Sequence, residues 1–211
     1  MLIVHHLGVS QSERIVWLCE ELEIPYELKI YKRAPMMAPP EYKALHPVGA
    51  APIITDGPLT LAESGAIIEY IVHKYGGGRL IPKPSDAGWT DYLYWFHFGN
   101  GSLLPTLMRG MFLQFAGLDA ESPLTKMAVA RREALIDMIE QRLNEADYFA
   151  GAAFTAADIM NLFPFTTGRQ FMPLDLSQRP GLTRYLKRIA ARPAYKRAMQ
   201  KGDPDLPPLA E

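Results

Sequence analysis

The sequence predicts a small α/β domain followed by an all-helical one. Three observations carry this division. Strand, helix and strand follow one another within the first thirty or so residues, β-type patterning stops near residue 80, and a proline-bounded linker, Leu80-Ile81-Pro82-Lys83-Pro84, lies between the halves. The 211 residues exceed the ~150 of a single-domain prior, and the domains are set at residues 1–80 and 87–211.

Leu2-Ile3-Val4 is a short apolar run rich in β-branched residues and reads as a buried strand. After Gly8 the apolar residues Ile15, Leu18, Cys19 and Leu22 share one helical face. Ser10 or Ser12 stands where an N-cap belongs, Glu13 suits the first turn, and Pro25 is the expected stop. Tyr26, Leu28 and Ile30 alternate, which predicts a second strand and completes a βαβ unit. Residues 34–52 carry Pro35, Pro39, Pro40, Pro47 and Pro52, leaving room only for a short helix at 41–45. Ile53-Ile54-Thr55 and Leu59-Thr60-Leu61 flank Asp56-Gly57-Pro58, a hairpin signal. A helix is expected from Glu63 to about Tyr75, with Ile67, Ile68, Ile71 and Val72 buried and Gly76-Gly77-Gly78 ending it.

Beyond the linker, the aromatic stretch from Trp89 to Phe115 is broken by Gly99, Gly101, Pro105 and Gly110, so it predicts two helices or one kinked helix. Thr125 to Ala146 is a long amphipathic helix with Leu135, Ile136, Met138, Ile139 and Leu143 inward. Shorter helices follow at about 156–168, 180–191 and 193–201. Phe154-Thr155-Ala156-Ala157-Asp158-Ile159 contains a capping box, with Phe154 placed to staple onto Ile159.

Composition excludes several function classes. Twenty-two Lys+Arg against 23 Asp+Glu give a net charge of −1, without the basic footprint of a nucleic-acid binder. No apolar run approaches the ~20 residues of a membrane helix. The opening MLIVHHLGVS lacks the basic start of a secretory signal, so the cytoplasm is expected. The single cysteine, Cys19, cannot form a disulfide framework or a C-x-x-C pair and sits on an apolar helix face, where it reads as inert core. The five histidines form no zinc motif, and neither glycine-rich nucleotide signature is present, so no metal is expected.

Four segments resemble the glutathione S-transferase superfamily. Ser10-Gln11-Ser12-Glu13-Arg14 is similar to the start of its serine-type members, in which a Ser four residues before an Arg opens the first helix. The resemblance implies that Ser10, ahead of Ser12, hydrogen-bonds the glutathione sulfur. A thiol with a reference pKa near ~8.5 needs such help, with a positive helix end beside it, to become a thiolate. Ser12 is carried over as a glutathione contact. His46-Pro47-Val48-Gly49-Ala50-Ala51-Pro52 resembles the segment ending in a cis-proline. There the residue before the proline, Ala51, offers its backbone to the glutathione peptide in the manner of an added strand, with Ala50 and Pro52 beside it. Many members carry Lys, Arg or Gln where Ala50 stands; its reach would pass to Lys43, or to Lys32 and Arg33. Glu63-Ser64 resembles the pair opening the third helix, a carboxylate for the γ-glutamyl ammonium and a hydroxyl and N–H for its carboxylate; both also sit where helix caps belong. The capping box at Thr155–Asp158 recurs in the family and is structural.

Over essentially the whole chain the resemblance implies a thioredoxin-like N-terminal domain with a mixed four-stranded sheet and an all-α helical-bundle C-terminal domain. It further implies a cytoplasmic, bacterial-like, detoxifying enzyme with glutathione as co-substrate and a hydrophobic electrophile as second substrate. Asn100, Ser102, Arg109 and Phe112 lie where that second substrate binds. A homodimer is expected, with contacts around 60–64 and 89–95. Glutathione-dependent disulfide or peroxide reduction, or a catalytically silent binding or regulatory role, are the alternatives on the same fold.

Overall fold

The computed structural model describes residues 1–34 and 36–206; Pro35 and residues 207–211, the end of the expected helical domain, lie outside the described residues. The elements run β1 (Leu2–Leu7), α1 (Glu13–Leu22), β2 (Glu27–Tyr31), α2 (Pro40–Lys43), β3 (Ile53–Asp56), β4 (Leu59–Ala62) and α3 (Ser64–Lys74). They continue with α4 (Trp89–Phe98), a π-helical segment (Gly99–Leu103), α5 (Leu104–Phe115), α6 (Pro123–Glu145), α7 (Ala156–Leu162), two short 3-10 turns, α8 (Pro180–Ala190) and α9 (Pro193–Gly202).

The sheet order is β2-β1-β3-β4, with β1 parallel to β2 and β3 antiparallel to both neighbours. A parallel pair needs a crossover, which α1 supplies; the antiparallel pair turns at Asp56-Gly57-Pro58 with Gly57 at φ +60°. β1 extends past its apolar start through His5 and His6 to Leu7. Both histidines are buried but partnered, His5 by Tyr31 Oη (3.0 Å) and Thr55 Oγ1 (3.1 Å), so the strand tolerates them. Leu7, Ile53 and Ala62 pack with the fully buried Tyr42 of α2, which anchors the proline-rich loop to one face of the sheet.

α1 stops earlier than Pro25 requires. Glu23 takes the left-handed conformation (φ 52°) and its N–H caps the last turn. In α3, Ile67, Ile68, Ile71 and Val72 are fully buried, about 1.5–3 kcal/mol of hydrophobic stabilisation each. Asp56 holds this helix to the hairpin, accepting from Tyr70 Oη (2.8 Å), Lys74 Nζ (2.8 Å) and Tyr75 Oη (2.5 Å). After it, a Cβ on Gly76 would come within 2.9 Å of the Val72 carbonyl, so glycine is required there.

By packing, the chain forms two compact units, one of Met1–Ile81 with the segment from Arg188 on and one of Pro82–Lys187. The division at residues 80 and 87 follows element type; the border at Arg188 follows contacts, because α9 docks on α1. Arg192 grips Glu21 with two bonds (2.6 and 2.7 Å), Arg197 and Lys201 both reach Glu20, and Tyr195 meets the Trp17 ring edge-on at 5.2 Å.

In the second unit, the stretch read as two helices or a kinked one is α4 and α5 joined by the π-helical turn. Gly99 opens that turn where a Cβ would lie 2.8 Å from the Met160 side chain, and Asn161 Nδ2 donates to the Trp95 carbonyl beside it (2.7 Å). The capping box forms as expected, with Thr155 Oγ1 accepting from Ala157 N and Asp158 Oδ2 from Thr155 N; Phe154 packs edge-on against Tyr148. Asp158 is fully enclosed, and burial pushes its carboxyl up to about 6, against the pull of bonds from Phe149 N, Thr155 and Tyr185 Oη. An acid held above its unfolded value contributes full stability below that unfolded value and loses it as pH rises through about 6. Asp158→Asn is therefore expected to remove a fall of ~2 kcal/mol in unfolding free energy between pH 4 and 7, measured by denaturant melts of both proteins across that range.

Candidate functional site

Strand register gathers the motifs. His5 pairs with Ile53, and Ile53 with Ala62, so the chain leaves β1, enters β3 and leaves β4 at the same end of the sheet. The loop carrying Ser10 and Ser12, the Ala51–Pro52 step and the Glu63-Ser64 pair all open from that end. The Ala51–Pro52 bond is cis, as the resemblance implied.

The serine loop is built on a strained residue. Val9 has φ 52°, a conformation that a β-branched side chain rarely adopts. It is held from both sides: its N–H donates to Asp203 Oδ1 (2.9 Å), and its carbonyl accepts from Arg33 Nη2 (2.7 Å). Arg33 also donates to the carbonyls of Gly8 (3.0 Å) and Met36 (2.6 Å). Arg33 is thus a backbone clasp, which corrects its candidacy as a ligand-reaching substitute for Ala50; Lys32 is exposed. Burial lowers the Arg33 pKa, and Asp203 offsets part of that shift.

The capping reading is corrected for Ser12. Ser12 takes the N-cap position with helical angles (φ −69°, ψ −14°) and makes no side-chain cap bond. Its fully buried hydroxyl instead accepts from Leu7 N (3.1 Å) and lies 2.9 Å from His6 Nδ1, 2.8 Å from Ser10 Oγ and 3.3 Å from the Leu7 carbonyl. Being enclosed, it is not open to a ligand, and the expected glutathione contact from Ser12 is replaced by support of Ser10. Ser10 Oγ accepts from Ser12 N (3.2 Å) at the positive end of α1.

Glu63 is a second strained residue (φ 73°, ψ 118°), exposed and without a side-chain cap bond. The next residue, Ser64, is buried, and its hydroxyl accepts from Arg14 Nη1 (3.0 Å), which also donates to Gln11 Oε1 (2.7 Å). Arg14 is 1% exposed, and burial brings its guanidinium down to about 10, so it remains a cation at neutral pH. It ties the start of α1 to the start of α3. Ala50 is exposed and Ala51 half-buried; Lys43 is exposed, its stem 3.6 Å from where a Cβ of Gly49 would sit. Cys19 is fully buried, and burial pushes its thiol far up, in keeping with an inert role.

In the second unit, Asn100 and Ser102 lie in the π-helical turn and Arg109 and Phe112 on α5, with Phe112 56% exposed. The cleft between α5 and α6, ≈ 280 Å³, is lined by other residues, among them Leu107, Met111, Leu118 and Met172. Among the described residues no group of three or more His, Cys, Asp or Glu is gathered to hold a metal ion, and no helix is long and apolar enough to cross a membrane.

Residues 10–74 match the family profile "Glutathione S-transferase, N-terminal domain" and residues 103–193 match "Glutathione S-transferase, C-terminal domain". Glutathione S-transferase 3 of Schizosaccharomyces pombe is 35% identical over 216 residues, 95% of this chain and 88% of the relative. The chain belongs to the glutathione S-transferase superfamily. A glutathione S-transferase structure from Actinobacillus pleuropneumoniae is similar with a TM-score of 0.87 at 32% identity, covering 96% of this chain and 93% of that one. A glutathione transferase from Burkholderia graminis, with two glutathione molecules bound per subunit, is similar at 27% identity and TM-score 0.77, covering 96% and 88%. The thioredoxin-like first domain and the helical second domain are those of this superfamily.

Sequence reasoning missed His6, Asp203 and the clasp role of Arg33 within this glutathione S-transferase fold. A histidine inside an apolar strand was the available signal, since a buried imidazole demands partners. Arg33→Ala removes charge-assisted bonds to three carbonyls; we expect ~2 kcal/mol lower stability by denaturant melt and faster hydrogen exchange at Val9 and Ser10.

Proposed function

We propose that the chain is a glutathione transferase in which Ser10 donates a hydrogen bond to the glutathione sulfur and holds it as thiolate. Glu63 takes the γ-glutamyl ammonium, and Ser64, held by Arg14, takes its carboxylate at the start of α3. Ala51 offers its backbone to the peptide, next to Ala50 and Pro52, with Lys43 in reach of the glycyl end. The thiolate then attacks an electrophilic carbon of a hydrophobic co-substrate, for which Asn100, Ser102, Arg109 and Phe112 are the candidate contacts. Acceleration comes from thiolate population and proximity. The enzyme works as a cytoplasmic homodimer, with a glutathione domain at 1–80 and a second-substrate domain at 87–211.

The observation that carries this reading is the convergence, at one end of the sheet, of the serine loop, the cis-proline step and the Glu63-Ser64 pair. Two helix N-termini and the cation of Arg14 make that end favourable to an anionic ligand. The short methyl of Ala50 favours a second reading, a fold kept for binding or regulation with weak affinity for glutathione.

Calorimetry with glutathione separates the two. For a transferase, Glu63→Ala is expected to weaken binding by about 1.5–3 kcal/mol, roughly tenfold to a hundredfold. Ser10→Ala is expected to bind glutathione with the thiolate absorbance lost. Absence of binding at several millimolar by the unmodified protein would overturn the transferase reading.

A further inference from the structure

The serine loop is the outer end of a buried chain of hydrogen bonds. Ser10 Oγ lies 2.8 Å from Ser12 Oγ, Ser12 Oγ 2.9 Å from His6 Nδ1, and His6 Nε2 3.0 Å from Asp203 Oδ2. His6 and Ser12 are fully buried, and Ser10 and Asp203 nearly so. Facing His6 are Ser12 ahead of α1 and Gly202 and Asp203 at the end of α9, where a Cβ on Gly202 would come within 3.1 Å of the ring. Ile30 lies beside it on β2, and Arg33 is the charged group on the far side of Asp203.

Donor and acceptor counting gives this chain two polarities. Three backbone donors are fixed: Leu7 N on Ser12 Oγ, Ser12 N on Ser10 Oγ, and Val9 N on Asp203 Oδ1. A carboxylate only accepts, so His6 Nε2 carries a hydrogen in either charge state. With neutral imidazole, Nδ1 accepts from the Ser12 hydroxyl, and Ser12 Oγ accepts in turn from Ser10. Ser10 Oγ then keeps one lone pair for an incoming donor. With imidazolium every hydroxyl reverses, and the Ser10 hydrogen turns outward, as stabilising a thiolate requires. The other acceptor near the Ser12 hydrogen, the Leu7 carbonyl, is more distant at 3.3 Å.

We propose that His6 is the internal acceptor of the glutathione thiol proton, reached through Ser10 and Ser12 and kept in its accepting tautomer by Asp203. This rests on the reading of Ser10 as the thiol contact. The S–H proton passes to Ser10 Oγ, the Ser10 proton to Ser12 Oγ and the Ser12 proton to His6 Nδ1. Sulfur keeps the bonding electron pair, and the products are a thiolate and an imidazolium facing the Asp203 carboxylate. After attack on the electrophile, the proton returns by the same hydroxyls to the leaving group or to water. His6 and Asp203 are thus positioning residues that act through Ser10, and the same transfer that makes the thiolate aims the hydrogen bond that holds it.

The test counts protons. Glutathione binding to the full chain is followed by calorimetry in buffers of different ionisation enthalpy near pH 7.5. Thiolate absorbance is read in parallel. The wild type is expected to form thiolate while releasing far less than one proton per thiolate to the buffer. In Asp203→Asn the amide oxygen stays on Val9 N–H and the NH2 faces His6 Nε2, which forces the hydrogen onto Nδ1 and blocks acceptance. That variant and Ser12→Ala are expected to release a full proton per thiolate or to lose the thiolate. A full proton released by the wild type overturns the proposal whether or not either variant folds, and so does a wild-type count in both variants. Thiolate that survives Ser10→Ala, or its absence from the wild type, overturns instead the reading of Ser10 on which the proposal stands.

Discussion

The left-handed backbone of Val9 is the constraint around which the candidate site is organised. A β-branched residue there costs on the order of 1–3 kcal/mol and persists only because its two peptide groups are held by charges. Asp203 takes the N–H on one side, and Arg33 takes the carbonyl on the other. Charge-assisted bonds of this kind are worth about 1.5–3 kcal/mol each, enough to offset the strain. The docking of α9 on α1 through Glu20 and Glu21 carries Asp203 to the loop. A helix far from the site in sequence is therefore part of what shapes it.

Glu63 repeats the arrangement. It too is a strained residue shortly before a helix and immediately before a serine, and Ser64 is held by a side chain from another element, Arg14. In both places the serine hydroxyl sits at the positive end of a helix. Two helix N-termini at one end of a sheet, cross-tied by a buried guanidinium, form a region of positive potential assembled mostly from backbone. Such a region suits a ligand with an ionised sulfur and an ionised carboxylate.

Most of the architecture was legible because apolar periodicity reports burial directly. Ile67, Ile68, Ile71 and Val72 and the hairpin around Gly57 needed no tertiary information. The apolar run marks only the start of β1, because His5 and His6 look polar until their partners are known. The π-helical turn at Gly99 was hidden because it answers to the close approach of Met160, a residue from another helix. Ser10, Glu63 and Ser64 could be named from local motifs, whereas Asp203 could not, since it meets Val9 across 194 residues of chain. The same holds for Arg33: a basic residue near a ligand site looks like a ligand group until the carbonyls it holds are seen.

That separation also has a consequence for biosynthesis. The serine loop and most of the strands that frame it leave the ribosome early, but the carboxylate that locks Val9 is made nearly two hundred residues later. Until then the loop lacks one of its two clamps, and a nascent first domain has its sheet before its finished site. The second clamp on Val9 is thus completed only after α9 has been made and has folded back onto α1.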